Sequence, residues 1–254
     1  MCHQTCSYPA SISGGAGVVE EHVEIPGAGR PIPAFFARPE EQTAPSVLII
    51  HDIWGANDFY HDVARRLAGA GFAALLPDLF VREGPLVEQT RDAARARGAL
   101  LDYPTTLLDI AGAVGWLAEH PATSGKVGTV GFCMGGTLVM LAAARDPLPD
   151  ASVVYYGFPV FDPTERRPEV PIGETSSLRS PLLGLWGDQD HGVGMDKVEA
   201  YRAALAEADR VYELVIYPGP GHAFLTFDPA APWFTEAQDA WNRTLEFFRE
   251  ELVG

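Results

Sequence analysis

Short apolar runs that alternate with segments of helical periodicity are the feature that most constrains the fold of this 254-residue chain. The runs have the length and continuity of strands buried on both faces of a parallel sheet; they are 46–52, 72–78, 126–132, 151–157, 181–187 and 211–219. The segments with apolar residues at helical spacing are 58–71, 86–100, 104–120, 135–145, 195–208 and 233–253. This alternation predicts an α/β fold, with a mostly parallel sheet covered by helices on both faces.

The N-terminal part of the chain follows a different pattern. Residues 18–26 and 31–39 are strand-like and are joined by a glycine-rich turn, which predicts an antiparallel hairpin. Residues 1–17 are small and polar, and we expect a flexible tail there. We expect residues 18–254 to form a single domain. The irregular segment 158–180 is predicted to lie over the edge of the sheet and to shape a pocket.

Composition excludes several classes of partner. The chain carries 18 basic and 34 acidic residues, for a net charge of −16, so nucleic acid and anionic membranes are unfavourable partners. No apolar run approaches the roughly 20 residues of a membrane span, and no secretory signal is recognisable. The three cysteines, Cys2, Cys6 and Cys133, do not form a disulfide pattern. These features favour a cytoplasmic protein in which Cys133 is a free thiol.

A glycine-flanked cysteine marks one junction between a predicted strand and a predicted helix. Gly131, Cys133 and Gly135 form a G-x-C-x-G pattern there. A sharp turn of this kind lifts the central side chain clear of the sheet, and glycine is needed two residues away on either side because bulk would clash. The helix N-terminus also stabilises a thiolate. The pattern predicts a nucleophile; a cysteine that serves only packing is the alternative.

Candidate partners for the cysteine follow in the order acid, then histidine. Asp190 and His222 each come just after a predicted strand, so both fall at the carboxyl edge of the sheet. Asp188 precedes Asp190 in a turn sequence, and we assign it the turn role. His191 is a competing histidine that we interpret as a pocket or surface residue. His51 ends a strand and is interpreted as structural or close to the site.

The motifs at these strand ends resemble those of the dienelactone hydrolase family, the cysteine branch of the α/β-hydrolase fold. The matching segments are HDIWGAN, PDLFVR, GFCMGG, GDQD and PGPGHAF. The resemblance extends from the first hairpin to the C-terminal helix. It implies a catalytic triad of Cys133, His222 and Asp190, and an oxyanion hole formed by the backbone amides of Ile53 and Met134. The hydrolytic chemistry of such a triad needs no metal, and we expect no cofactor.

The chain departs from the family pattern at two places. Asp52 stands where the family usually has a glutamate that helps to take the thiol proton; binding backbone or an arginine is the alternative role for it. Arg82 matches one arginine of the family's carboxylate clamp, but Thr226 stands where the second arginine is expected. The apolar wall of the substrate pocket is predicted to come from aromatic residues for which core packing is the alternative: Trp54, Phe80, Tyr156 and Phe224.

These residues predict a cysteine-dependent hydrolase of ester or lactone bonds that works through a thioester. The substrate is a small molecule, and the expected assembly is a monomer or a homodimer. A carboxylesterase of broader specificity that acts on neutral esters is one alternative. A non-catalytic thiol sensor or binding protein on the same fold is another. A metal site at Cys2, His3 and Cys6 is a weaker hypothesis than an untethered terminus, because the spacing matches no zinc motif.

Overall fold

A computed structural model describes residues 17–40, 43–147 and 149–253 of the chain. In these residues one eight-stranded sheet has the order β1-β2-β4-β3-β5-β6-β7-β8. Strands β1 and β2 form the predicted antiparallel hairpin, β2 pairs antiparallel with β4, and all other pairs are parallel. The strands are β1 (Val18–Ile25), β2 (Ile32–Pro39), β3 (Ala44–Ile50), β4 (Ala73–Pro77), β5 (Thr123–Phe132), β6 (Ala151–Tyr155), β7 (Leu182–Gly187) and β8 (Tyr212–Tyr217).

Helices connect most of the parallel strands, as the alternation predicts; β6 and β7 are joined by the segment 158–180, and the last helix follows β8. The helices are α1 (Asp58–Gly69), α2 (Arg91–Leu100), α3 (Tyr103–Glu119), α4 (Met134–Ala142), α5 (Met195–Glu207) and α6 (Phe234–Val253). The predicted start of the second helix at residue 86 was wrong, because residues 86–90 are not part of α2. Helix α2 begins at Arg91 because Thr90 is its N-cap and accepts a hydrogen bond from the amide of Ala93 at 3.2 Å.

The sheet topology determines where the loops of the site meet. Strands β3, β5, β6, β7 and β8 are parallel neighbours, so their carboxyl ends share one edge. The loops that follow Ile50, Phe132, Gly187 and Tyr217 therefore converge. The segment 158–180 has little regular structure beyond a 3₁₀ helix at Pro171–Ser177.

Membrane spans and metal sites were both considered from the sequence. None of the helices in the described ranges is long and apolar enough to cross a membrane. The flexible tail and the hypothesis of a metal site at Cys2, His3 and Cys6 fall outside the described residues. Within residues 17–40, 43–147 and 149–253, no group of three or more histidine, cysteine, aspartate or glutamate side chains is arranged to hold a metal ion.

Candidate active site

Cys133 occupies a strained turn between β5 and α4. Its backbone has φ 56° and ψ −116°, and the residue is 5% exposed. A Cβ added at Gly131 would lie 2.2 Å from the carbonyl oxygen of Gly135, and one at Gly135 would lie 2.1 Å from that of Ile50. Both contacts are impossible for a real side chain. The steric prediction for the two glycines is therefore confirmed.

The helix that follows the cysteine is buried along its whole length. Met134 is the first residue of α4, and the amides of a first helical turn have no partner within the helix. The amide of Cys133 itself donates to the carbonyl of Tyr155 at 3.0 Å, which fixes the turn to β6. The side chain of Cys133 thus lies at a helix N-terminus, where the helix dipole favours negative charge.

Asp190 and His222 are joined by a short hydrogen bond. The Nδ1 atom of His222 lies 2.7 Å from Oδ2 of Asp190. The other carboxylate oxygen of Asp190 accepts from the amides of Gly192 and Val193, each at 3.1 Å. Asp190 is 1% exposed, so this buried carboxylate is held by three donors and orients the imidazole.

Asp188 and His191 lie close by but have other surroundings. Oδ1 of Asp188 accepts from the amide of Gly219 at 2.8 Å, and the amide of Asp188 donates to the carbonyl of Tyr217 at 2.9 Å. Asp188 thus ties together the loops after β7 and β8. His191 is exposed and lines the cavity described next.

One cavity of about 450 Å³ collects the predicted catalytic residues. Cys133, Asp190 and His222 line it from three different loops. Ile53 and Met134, the residues whose amides the resemblance assigns to an oxyanion hole, line it as well. The fold has therefore brought five predicted residues from four strand ends to one concave site.

Asp52 does not line this cavity. The residue is fully buried, and Oδ1 accepts from the amide of Trp54 at 2.8 Å. The amide of Asp52 donates to the hydroxyl oxygen of Tyr60 at 3.2 Å. Burial, followed by the nearby charge of Asp52, raises the pKa of the Tyr60 phenol well above its ordinary value. The bond to the Trp54 amide is the backbone-binding role that was considered as the alternative for Asp52.

His51 holds the same loop from the other side. The amide of Leu79 donates to Nε2 of His51 at 3.1 Å, so Nδ1 carries the proton and donates to the carbonyl of Asp52 at 2.8 Å. The ring stacks on Phe80 with centroids 5.3 Å apart. Burial lowers the pKa of His51 to about 4, so the ring is neutral at pH 7.

Arg82, predicted as a substrate contact, does not line the cavity that contains Cys133. Its guanidinium forms a bidentate pair with Asp109, with Nη1–Oδ2 and Nη2–Oδ1 distances of 2.5 and 2.9 Å. Nη2 also donates to the carbonyl of Ala28 at 2.6 Å. The side chain of Asp109 is fully buried. Arg82 therefore serves as the partner of a buried carboxylate and joins the loop after β4 to α3.

The residues of the predicted aromatic wall do not line the cavity that contains Cys133. Tyr156 is fully buried, and its ring meets that of His222 edge-on at 5.1 Å. Phe224 packs against Tyr156 at 5.7 Å and against Tyr217 at 5.4 Å. Neither Tyr156 nor Phe224 lines the cavity. Both residues make the core contacts that were considered as the alternative, and the ring of Tyr156 contacts the imidazole of His222.

The remaining predicted substrate contacts are also elsewhere. Trp54 lines a separate cavity of about 410 Å³. Thr226 accepts from the amide of Asp228 at 3.2 Å in a local turn and does not line the cavity with Cys133. Phe80 is buried, with Arg97 stacked 4.0 Å from its ring.

The cavity wall contains residues that the sequence did not indicate. Arg91 and Arg95 of α2, Tyr103 at the start of α3 and Arg167 of the segment 158–180 all line it. The four-residue spacing of Arg91 and Arg95 indicates that the two side chains lie on the same face of a helix. Nothing in the sequence indicates that this face meets the cysteine.

Fold and cavity together define an α/β-hydrolase whose candidate nucleophile, acid and histidine follow one another along the chain. The model of the dienelactone hydrolase family matches residues 32–252. The chain therefore belongs to the dienelactone hydrolase family, and it is a hydrolase of ester or lactone bonds.

Individual relatives agree with this assignment. A carboxymethylenebutenolidase of Rhodococcus opacus is 31% identical over 256 residues, covering 100% of this chain and 98% of that protein. A Bradyrhizobium lactonase named for 2-oxo-3-(5-oxofuran-2-ylidene)propanoate is 33% identical over 240 residues, covering 93% and 96%. The crystal structure of a Klebsiella pneumoniae protein named as a dienelactone hydrolase superposes with a TM-score of 0.86 at 30% identity, covering 92% and 99%.

Proposed function

We propose that this protein is a cysteine hydrolase that opens ester or lactone bonds through a thioester on Cys133. The observation that carries the proposal is the 2.7 Å bond between His222 and Asp190 in the cavity that Cys133 lines. An oriented histidine beside a nucleophile in a strained turn is the arrangement that covalent acyl transfer requires.

The proposed reaction has two halves. The sulfur of Cys133 attacks the substrate carbonyl, and the amides of Ile53 and Met134 donate hydrogen bonds to the oxygen that becomes negative. His222, which takes the proton of the Cys133 thiol as the sulfur attacks, gives it to the leaving oxygen as the carbon–oxygen bond breaks, which leaves a thioester. His222 then takes a proton from water, whose oxygen attacks the thioester, and the acid and the thiol are released. Asp190 holds the imidazole in position and stabilises its charged form.

The choice of sulfur favours particular leaving groups. A thiolate leaves a tetrahedral carbon more easily than an alkoxide does, so simple alkyl esters return to substrate. An enolate or a phenolate is a better leaving group and carries the reaction forward. We therefore propose enol-type lactones and activated esters as substrates. The names of the Rhodococcus and Bradyrhizobium relatives, both of which describe unsaturated lactones, support this substrate class.

Asp52 has two possible contributions that a substitution separates. If it helps to take the thiol proton, Asp52→Asn lowers the rate of Cys133 alkylation near neutral pH. If it only shapes the loop through its bond to the amide of Trp54, the asparagine oxygen keeps that bond and alkylation is unchanged. We propose the activating role, and an unchanged alkylation rate would contradict it.

Hydrolysis of a substrate panel tests the proposed function. The panel contains 4-carboxymethylenebutenolide, an uncharged enol lactone and p-nitrophenyl acetate, with Cys133→Ala as the control. We expect turnover that the control abolishes. Turnover of neutral substrates alone would support the broader carboxylesterase. Absence of any Cys133-dependent turnover, together with alkylation of Cys133 that His222→Ala leaves unchanged, would replace the hydrolase with a thiol sensor.

A further inference from the structure

Two arginines on one face of α2 line the cavity that contains Cys133. Arg91 is the first residue of the helix, and Arg95 follows four residues later, so the two side chains are neighbours. Both are exposed. Neither forms an ion pair with any residue in the described ranges; Asp92, three positions before Arg95, does not pair with it.

This placement is unfavourable for the helix itself. Like charges four residues apart repel each other. A cation in the first turn also meets the positive end of the helix dipole. The chain has 34 acidic residues and only 18 basic ones, so it has enough carboxylates to form ion pairs with both arginines. A local arrangement that costs stability in these two ways is typical of residues retained for a ligand.

A third arginine reaches the cavity from a separate part of the chain. Nη2 of Arg167 donates to the carbonyl of Gly98 at 2.6 Å, and its guanidinium carbon lies 5.0 Å from the centre of the Tyr103 ring. These contacts fix Arg167 against the end of α2. The three guanidinium groups, called here the arginine wall (Arg91, Arg95 and Arg167), thus come from two elements that are far apart in sequence.

The charge of the cavity is consequently opposite to that of the whole molecule. Asp190 is the sole carboxylate among the described residues that line it, and that carboxylate is bonded to His222. Apart from the arginines and Asp190, the titratable residues that line the cavity are Tyr103, Cys133, His191 and His222. In a protein of net charge −16, a cavity with three guanidinium groups selects an anionic ligand.

We propose that the arginine wall is a carboxylate subsite that determines substrate choice. The ligand class is an ester or lactone with a carboxylate on the part of the molecule that projects toward α2, away from the bond that is cleaved. Guanidinium forks bind carboxylates through paired hydrogen bonds, which position as well as attract them. The subsite replaces the predicted contact at Arg82, which is bonded to Asp109. This inference rests on the proposed function.

Matched substrates separate the subsite from the catalytic residues. Mono-p-nitrophenyl glutarate carries a free carboxylate, and the p-nitrophenyl methyl diester of glutarate is its uncharged counterpart. We expect the ratio of kcat/KM for the acid to kcat/KM for the diester to fall about tenfold or more in R91Q/R95Q, mainly through KM. Arg167→Gln should lower the same ratio. Partial unfolding of a variant cancels in the ratio.

A control of equal charge is available on the surface. Arg179 and Arg249 are exposed, do not line the cavity and form no ion pair in the described residues. The double variant R179Q/R249Q removes the same charge and should leave the ratio within twofold of the wild type. A ratio that is unchanged in R91Q/R95Q, or that falls equally in the control, would overturn the subsite. If the wild-type protein shows no Cys133-dependent hydrolysis of either ester, the proposed function itself is overturned.

Discussion

The Nδ1–H of His51 donates to the carbonyl of Asp52 at 2.8 Å, and this carbonyl shares a peptide unit with the amide of Ile53. The amide of Gly55 donates to the same oxygen at 3.1 Å. In a planar trans peptide the carbonyl and the N–H point in opposite directions. Two donors that hold the carbonyl therefore hold the Ile53 amide as well, and this amide is the proposed oxyanion donor at the cavity.

Removing the His51 donor should lower kcat more than it raises KM. In His51→Leu the Asp52–Ile53 peptide loses a hydrogen bond and its fixed direction; loss of a complete oxyanion donor costs about 10²–10³ in kcat, so we expect a loss of about tenfold or more. His51→Asn places an amide N–H close to the position of Nδ1 and should recover most of the loss. The check is steady-state hydrolysis of p-nitrophenyl acetate; equal kcat values in the two variants would contradict this role.

His51 should also make the free energy of unfolding depend on pH. The pKa of the folded protein's His51 is about 4, below the ordinary value of 6.5, so the unfolded chain takes up a proton between these values that the folded chain does not. The free energy of unfolding then falls as the pH drops from 6.5 to 4, by up to about 1.4 kcal/mol per pH unit.

Urea unfolding at about pH 7 and about pH 5 measures this dependence. His51→Asn has no imidazole at this position, so its free energy of unfolding should change less between the two pH values than that of the wild type. The comparison removes the contributions of the other histidines, which both proteins share. An identical pH dependence in wild type and variant would show that His51 does not carry the effect.

Replacing a glycine of the cysteine turn by alanine should lower the free energy of unfolding, whereas the same replacement at a control glycine should raise it. Gly135→Ala places Cβ 2.1 Å from the Ile50 carbonyl oxygen and should destabilise the fold by about 1–3 kcal/mol. Gly115, inside α3, has no atom within 4 Å of an added Cβ, and Gly115→Ala should stabilise by about 0.5–1 kcal/mol. Urea unfolding of both variants checks the pair; the same sign of change in both would refute the steric explanation.

Asp190 and Asp188 should differ sharply in their effect on catalysis. Asp190→Asn keeps the shape but weakens the hold on His222, and we expect kcat to fall by about 10³–10⁴, as in other triads. Asp188→Asn disturbs a bond to the amide of Gly219 and should cost about 1 kcal/mol of stability with kcat nearly unchanged. Similar kcat values for the two variants would contradict the assignment of the acid.

The strand ends explain why so much of the site was predictable from sequence. Parallel strands place their carboxyl ends at one edge whatever their order, so Cys133, Asp190 and His222 could be expected to meet. Gly131 and Gly135 add a steric requirement that depends only on the local turn. The amino-acid sequence contains these relationships directly, because each depends on where a strand stops.

The arginines that line the cavity could not be predicted from the sequence. Whether an arginine meets a ligand depends on the direction of a helix face and on distant partners. Arg82 is bonded to Asp109, which lies 27 residues further along the chain on α3. The side of α2 that carries Arg91 and Arg95 faces the cavity because of how the helix packs, and the motif positions do not determine this.

The most direct test of the proposed mechanism is intact-mass spectrometry of His222→Ala after mixing with p-nitrophenyl acetate, followed by peptide mapping. Without the base that activates water, the thioester should persist, so we predict one added acetyl group located on Cys133 and none on a Cys133→Ala/His222→Ala protein. An acetyl group on another residue, or hydrolysis with no acetyl group on Cys133 at any time, would contradict covalent catalysis by this cysteine.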